Sequence, residues 1–539
     1  MVPTPLDQGK PSGASRWVDA GLVLVLLLLA FALHAWVFSH TAMASRDSIG
    51  YIRYALMLEQ MPWLEALPKI EQHPLYPATL LAVSVPVRQA LGFTPQAMVI
   101  SAQLTSTVAG ILLVVPMFFL GRELFDRRVG FWAALLFLCL PVAAHVTCDA
   151  LSDSLFLLLT TTALLFAAQG LRLQSSVQFI LAGLFGGLSY LARPEGMLIV
   201  AFTFVVLLAV QLLPARRWAW QQAVACGVAL AVSAVLIGGP YMAAIGGVTV
   251  KPTGRKMLGT LERDDTLPPP SASVSSGPTV AMTLAWWLQP GETNGRPTAA
   301  WALHALIFET YRTFEYVFWA PALFGIWLFR DRVRQTPGLW LLLLVAGGVW
   351  LVLWRMALVV GYVSERHLLL PVLCFSFPAV ACLIWCGERL PGWLGRMAPS
   401  PRWQPALLIA WLTLATSWGL PAAIKPLHEN RLGHKEAGLW LANHAQPNAV
   451  VIDPFCWAHY YAGKVFQEGK SADTEPGMRY VVLEIGSNPH SRLPSLPSAR
   501  KLAEQGQIVY EWQPSKRQLK EKAEPVAVYA VPPEIVIEQ

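Results

Sequence analysis

Apolar runs recur from Trp17 to Leu420, each about the 20 residues that a helix needs to cross a bilayer. No other feature constrains the fold as much. Inside lipid every backbone polar group must be satisfied within the structure, which leaves helices and closed barrels. The 539 residues are 55% hydrophobic and 14% charged, whereas a soluble domain carries about 25% charge. Mean hydropathy is +0.47. The pattern predicts an α-helical polytopic membrane protein. The first run is long, and no small-residue cleavage site precedes the loop after it, so it is read as a span and not as a cleaved signal.

About eleven spans are expected, at 17–38, 95–120, 129–147, 153–170, 177–192, 197–213, 223–245, 312–329, 337–357, 367–386 and 404–423. The run 74–91 holds Pro74, Pro77 and Pro86 and is read as an interfacial or re-entrant helix. Lys10, Arg16 and the clusters at Arg122/Arg127/Arg128, Arg172, Arg216/Arg217, Arg330/Arg332/Arg334 and Arg389/Arg396/Arg402 then fall on one side. The positive-inside rule makes that side the cytoplasm. The expected arrangement is a multi-pass protein of the plasma (inner) membrane. Its tail, 1–16, is cytoplasmic, its transmembrane domain is 17–424, and its external loops are 39–94, 246–311 and 358–366.

Residues 425–539 alternate helix-like and strand-like segments, among them EAGLWLANHAQPNAVVIDPF, RYVVLEI, SARKLAEQ, QIVYEW and PVAVYAV. They predict a small extracytoplasmic α/β domain. This part holds 13 Lys+Arg against 13 Asp+Glu, so the net +7 resides in the membrane portion. Topology explains most of that charge, and no nucleic-acid partner is implied. The seven cysteines are scattered, without the spacing of a zinc site or a disulfide framework. The loop 246–311 contains Pro268-Pro269-Pro270 and SASVSSGP. It is read as a long loop, either a lid or an insertion.

The loop after the first span reads SRDSIGYIRYALMLEQ and continues into QHPLYPATLLA. Asp47 lies just outside the membrane, with Tyr51 one helical turn on. A carboxylate there is costly unless it is hydrated or put to use. Two readings stand: a charge at a helix N-terminus, or a general base with Tyr51 and Tyr54 orienting it or contacting a sugar. His73, on a proline-stiffened element, is a candidate phosphate contact, metal ligand or headgroup-facing residue. Asp149 and Asp153 in TCDALSDSLF are four residues apart and can share a helix face. Either is a candidate substrate contact, and Ser152 or Asp153 a candidate cap. Arg193 in ARPEGM and Arg366 in SERHLLLP are external cations beside the bilayer, and Glu195 offers Arg193 a salt bridge. His73, Arg193 and Arg366 together suggest a site for an anion arriving from lipid, since guanidinium groups bind phosphate bidentately. No nucleotide-binding glycine pattern, zincin motif or nucleophile elbow occurs. Glu262 to Asp265 can hold a divalent ion or form a solvated turn. No cofactor and no metal ligand set is predicted.

In this order, RDSIGYIRYA, HPLYPATLLA, GRELFDRRVGFWAALLFLCLP, LSYLARPEGML and ERHLLLPVL resemble the GT-C glycosyltransferases. The nearest branch is that of the protein O-mannosyltransferases and aminoarabinose lipid A transferases (the dolichyl-phosphate-mannose mannosyltransferase superfamily). The likeness covers most of residues 17–390. It implies transfer of a sugar, with inversion, from a polyprenyl-phosphate donor to a hydroxyl of a protein, lipid or glycan acceptor. It implies Asp47 as the base, Asp149 or Asp153 as the second external-loop acid, and Arg366 as the arginine opening a late span. Arg193 falls where some relatives carry a basic residue. Ser48 stands where many relatives have a second acid, and His73-Pro74-Leu75 replaces a commoner basic or His-Pro-Pro form. There is no external Asp-X-Asp, so the metal requirement of the oligosaccharyltransferase branch is not expected. Two rival readings are a lipid or sugar flippase and a non-catalytic scaffold; the scaffold predicts that replacing Asp47 is silent.

Overall fold

A computed structural model describes residues 13–212, 218–259, 297–394, 401–466, 477–485 and 495–532. The predicted acidic turn Glu262–Asp265 and the proline- and serine-rich stretch lie outside the described residues, as does most of the N-terminal tail.

Among the described residues, seven helices are long and apolar enough to cross a membrane: Arg16–Ser39, Pro95–Leu124, Asp153–Leu173, Pro194–Leu212, Trp220–Ile245, Pro337–Val360 and Glu365–Gly392. The apolar pair Arg127–Cys139 and Pro141–Cys148, bent by 73°, is a broken span or a re-entrant loop. Pro141 lacks the N–H that a continuous helix needs there. Three more expected spans fall on shorter apolar helices, Ser176–Ala192, Trp319–Leu328 and Gln404–Thr416. The chain is a multi-pass membrane protein. The expected span 312–329 is corrected. Helix Ala299–Thr313 ends where Glu315 and Tyr316 take φ of 51° and 58°, and a new helix starts at Trp319. Two successive left-handed residues cannot continue a right-handed helix.

Close packing within the bundle depends on small residues. A Cβ on Gly121 would stand 2.5 Å from Gly130 Cα, so both positions require glycine. Around this contact Phe118 and Phe377 are buried in the main core.

The loop after the first span holds two longer helices, with the short helix Trp63–Ala66 between them. Arg46–Gln60 buries Ser48, Ile49, Tyr51, Ile52, Ala55 and Leu56, the spacing of one helix face, and leaves Asp47 and Arg53 exposed. Leu75–Leu91 is unbroken despite its prolines. Pro77 lies in its first turn, where the missing N–H has no intrahelical partner. It packs on Arg46–Gln60 and on Pro95–Leu124.

After the last helix of the bundle comes a four-stranded sheet of β1 (Val450–Ile452), β2 (Arg479–Glu484), β3 (Gln507–Trp512) and β4 (Val526–Val531). Its order is β1-β2-β4-β3. β1 runs parallel to β2, and β4 is antiparallel to both β2 and β3. Helix Leu496–Ala503 turns Leu496, Ala499, Leu502 and Ala503 inward, and Leu432–His444 packs on β3 and β4. One core joins the sheet to the first loop: Ile49, Tyr51 and Ile52 cluster with Phe455, Trp457, Tyr460 and Val481. Each such side chain contributes about 1.5–3 kcal/mol by full burial, which fixes a helix too short to be stable alone.

Candidate active site

Arg366 is placed by a sequence of local stops. Helix Pro337–Val360 ends at Gly361, whose φ is 74°. A 3-10 turn, Glu365–Leu368, then opens helix Leu369–Leu394. Ser364 and His367 form a reciprocal capping box, with the Ser364 N–H donating to His367 Nδ1 at 3.3 Å. Arg366 Nη1 reaches Asp47 Oδ2 at 2.5 Å. Its Nε is buried without a partner among the described residues.

Asp47 is in the first turn of its helix, and Ser45 supplies no side-chain cap. The carboxylate pairs with a tertiary partner, Arg366. The Asp47 side chain keeps 45% of its area accessible. The Arg366 guanidinium holds the Asp47 carboxyl below its ordinary value; burial opposes this, and Lys251 and Arg46 add to it. The group is a carboxylate at neutral pH.

A small cleft adjoins Arg366. Its polar lining is Asp153, Arg193, Glu195, Arg366 and His367, and its apolar lining includes Phe156, Leu157, Val349 and Leu353. Arg193 Nη1 donates to Asp153, and its Nη2 lies 3.3 Å from Glu195 Oε1. The expected Glu195 salt bridge is thus present, and Asp153 shares the same cation. Gly196 packs so tightly on Ser189 and Tyr190 that no Cβ fits, which folds ARPEGM back toward the cavity.

The two second-loop acids do not share a helix face, and that expectation is corrected. Asp149 caps the C-terminus of Pro141–Cys148, and Asp153 opens the next helix. The turn Ala150–Ser152 separates their directions. Asp149 is buried. Its Oδ1 accepts from the Ala150 N–H at 2.8 Å, and its Oδ2 lies 3.0 Å from His428 Nε2. Burial pushes its carboxyl up, but His428 and the hydrogen bonds leave it below the ordinary value. Tyr51 bonds Ser152 Oγ at 2.8 Å and meets Tyr76 edge-on at 4.8 Å. Burial pushes its hydroxyl up to about 12.

His73 stands apart from the cavity lining. Nδ1 donates to the Tyr190 carbonyl at 2.7 Å, Nε2 lies 3.0 Å from Thr249 Oγ1, and the ring packs against Tyr190 and Tyr241. Both ring nitrogens are engaged. Burial lowers its pKa to about 4, so the ring is neutral.

Sequence reasoning missed Lys251. Burial lowers its ammonium, Arg193 and Arg366 act in the same direction, and Glu195 and Asp47 oppose them. The Lys251 backbone N–H donates at 3.1 Å to Thr249 Oγ1, the hydroxyl that also meets His73 Nε2. The chain does carry a signal for it: Lys251 follows the span 223–245 on the expected external side, the pattern that singles out Arg193. Among the described residues no three His, Cys, Asp or Glu converge as a metal site.

The ArnT protein of Cupriavidus metallidurans, in its apo state, superposes with a TM-score of 0.55 at 11% identity, over 96% of this chain and 98% of that one. The Archaeoglobus fulgidus oligosaccharyltransferase in its apo form gives 0.54 at 12% identity, over 93% and 74%. The chain has the GT-C glycosyltransferase fold. A third structure with the GT-C fold, the A. fulgidus AglB in complex with an inhibitory peptide and a dolichol-phosphate, matches at 0.50 and 13% identity, over 98% and 76%. Within the GT-C fold, residues 72–237 match the sequence family of dolichyl-phosphate-mannose-protein mannosyltransferases. Comparison with curated proteins gives no match.

Proposed function

We propose that this chain is a membrane glycosyltransferase that moves a sugar from a polyprenyl-phosphate donor to an acceptor hydroxyl, with Asp47 as general base. The observation that carries this reading is the Asp47–Arg366 pair beside a cavity lined by Arg193 and Arg366, the carboxylates of Asp153 and Glu195, and apolar side chains. A solvent-reached carboxylate, a fixed guanidinium and an apolar wall are the three surfaces that such a donor and acceptor need. The dolichol-phosphate held by AglB and the family match support a polyprenyl donor and, in general, a protein acceptor.

In this mechanism the acceptor O–H gives its proton to Asp47 as its oxygen bonds to the anomeric carbon. The bond from that carbon to the phosphate oxygen breaks on the opposite face, so the configuration inverts and polyprenyl phosphate leaves. Base assistance supplies about 10²–10⁴-fold. Positioning and stabilisation of the leaving phosphate supply the rest. Arg366 and Lys251 take the phosphate. Arg193 lines the same cavity but is already shared by two carboxylates, and His73 braces the wall behind. Asp153 and Tyr51 hold the second loop in place, and Asp149 ties it to the C-terminal segment. The active face is extracytoplasmic, with the N-terminus in the cytoplasm of a plasma (inner) membrane protein.

The reading is tested with purified protein in lipid nanodiscs and a panel of radiolabelled polyprenyl-phosphate sugars, wild type beside Asp47→Asn. The expected result is labelled acceptor or released polyprenyl phosphate from wild type alone. Equal turnover by Asp47→Asn would remove the base assignment. Labelled lipid moving between leaflets without transfer would replace the transferase with a flippase.

A further inference from the structure

We infer that the C-terminal domain sets the position of Asp47, through Trp457 and Lys435, which hold the backbone just ahead of it. The proposal rests on the reading of Asp47 as the base. Segment 40–44 is the covalent approach from the first span to the Asp47 helix, and the C-terminal part grips it repeatedly. Ala42 N–H donates to the Leu427 carbonyl at 3.0 Å, and Leu427 N–H donates to the His40 carbonyl at 3.2 Å. Lys435 Nζ donates to the Ala42 carbonyl at 2.9 Å, and Trp457 Nε1 to the Ala44 carbonyl at 3.1 Å. On the far side Tyr460 Oη donates to the Pro95 carbonyl at 2.7 Å.

These are bonds to main chain, so they fix the path of the segment whatever its side chains. Met43 and Ala44 are buried in the core that Phe455, Trp457 and Tyr460 complete. The Asp47 helix starts at Ser45 without a side-chain cap bond, and the short contact of Asp47 is Arg366, from another part of the chain. Its placement relative to Arg366 therefore depends on where residues 41–46 are held. Trp457 and Lys435 are positioning residues, because neither touches the reacting atoms in the proposed mechanism. A misplacement of about 1 Å can cost about 10²-fold in rate.

The test uses the full chain in nanodiscs and compares wild type, Trp457→Phe/Lys435→Met, Lys435→Met, Lys435→Arg and Asp47→Asn. With the donor that turns over, the double variant is expected to lose kcat by about 10²-fold while donor KM changes within about twofold. Lys435→Arg restores most of what Lys435→Met loses. Amide exchange, read without any substrate, is expected to quicken at residues 41–48 while β2 and β4 keep their protection. Undecaprenyl phosphate, used as the binding probe, is expected to bind the double variant as it binds wild type. Unchanged kcat, or unchanged exchange at 41–48, overturns the proposal. So does deprotection across the sheet with a matched loss of kcat and probe binding, because the contacts would then serve the fold alone. Turnover by Asp47→Asn instead removes the base reading, whatever the exchange shows.

Discussion

Arg366 Nη1 and Asp47 Oδ2 meet at 2.5 Å, so the proposed phosphate ligand and the proposed base neutralise each other before donor binds. In the proposed mechanism a donor phosphate would compete with Asp47 for the guanidinium, and a carboxylate that lost this partner would be the stronger base.

Arg366→Ala is expected to weaken donor binding by about 10- to 100-fold, the worth of a hydrogen bond to a charged group. It also moves the acid limb of kcat/KM. The base acts as carboxylate, so activity falls as pH drops through the Asp47 pKa, which Arg366 holds below its ordinary value. Without Arg366 the limb shifts upward. A pH profile of both proteins checks this, and an unmoved limb would separate Arg366 from Asp47 in function.

Arg193 tests structure apart from chemistry. It is buried and bonded to Asp153 and Glu195, so Arg193→Met strands two carboxylates. Breaking a buried pair from one side costs about 3–5 kcal/mol. Arg193→Met/Asp153→Asn is expected to lose less than the sum of the single changes, because the second change removes a stranded charge. Thermal unfolding in nanodiscs at one scan rate supplies the cycle. Additive losses would mean that the pair is not coupled.

Local properties make much of this legible in the amino-acid sequence. The spans rest on uninterrupted apolar length, the Asp47 helix on the spacing of Ile49, Ile52 and Leu56, and the sheet on short β-branched runs. The features that escape the sequence depend on contacts between distant segments. Asp149 and Asp153 read as one face because the turn at Ala150–Ser152 has no strong local marker. The break at Glu315 and Tyr316 lies at residues without the glycine that usually marks positive φ. The grip of Trp457 and Lys435 on main-chain carbonyls leaves no side-chain pattern at residues 42 and 44. His73 reads as an anion ligand because sequence does not show that both its nitrogens are already bonded.

For His73 the consequence is a stability effect with a defined pH window. Its folded pKa is lowered to about 4, below the unfolded value near 6.5. Between those values the unfolded chain binds more protons, so the contribution is complete above about pH 6.5 and is lost as pH falls toward about 4. His73→Gln removes this titration. The loss of unfolding temperature from pH 7 to pH 4 is expected to be smaller in the variant than in wild type, with donor KM within about twofold at pH 7. A donor affinity that falls while the pH dependence of stability stays the same would return His73 to the phosphate site.

Lys251 gives the sharpest test of the anion site, because its ionisation reports on what binds beside it. In the free protein burial lowers its pKa, and Arg193 and Arg366 add to the effect. A bound phosphate brings negative charge to the same place and favours the ammonium, so its pKa rises on binding. Between the free and bound values, binding must draw a proton from solution. Titration calorimetry with undecaprenyl phosphate, in buffers of different ionisation enthalpy at alkaline pH, counts that proton. Wild type is expected to show net uptake that grows as pH rises. Lys251→Met is expected to show none and to bind more weakly by about 10-fold or more. Lys251→Arg keeps the charge through the whole range, so it is expected to bind without uptake. Uptake that persists in Lys251→Met would assign the proton to another group and take Lys251 out of the site.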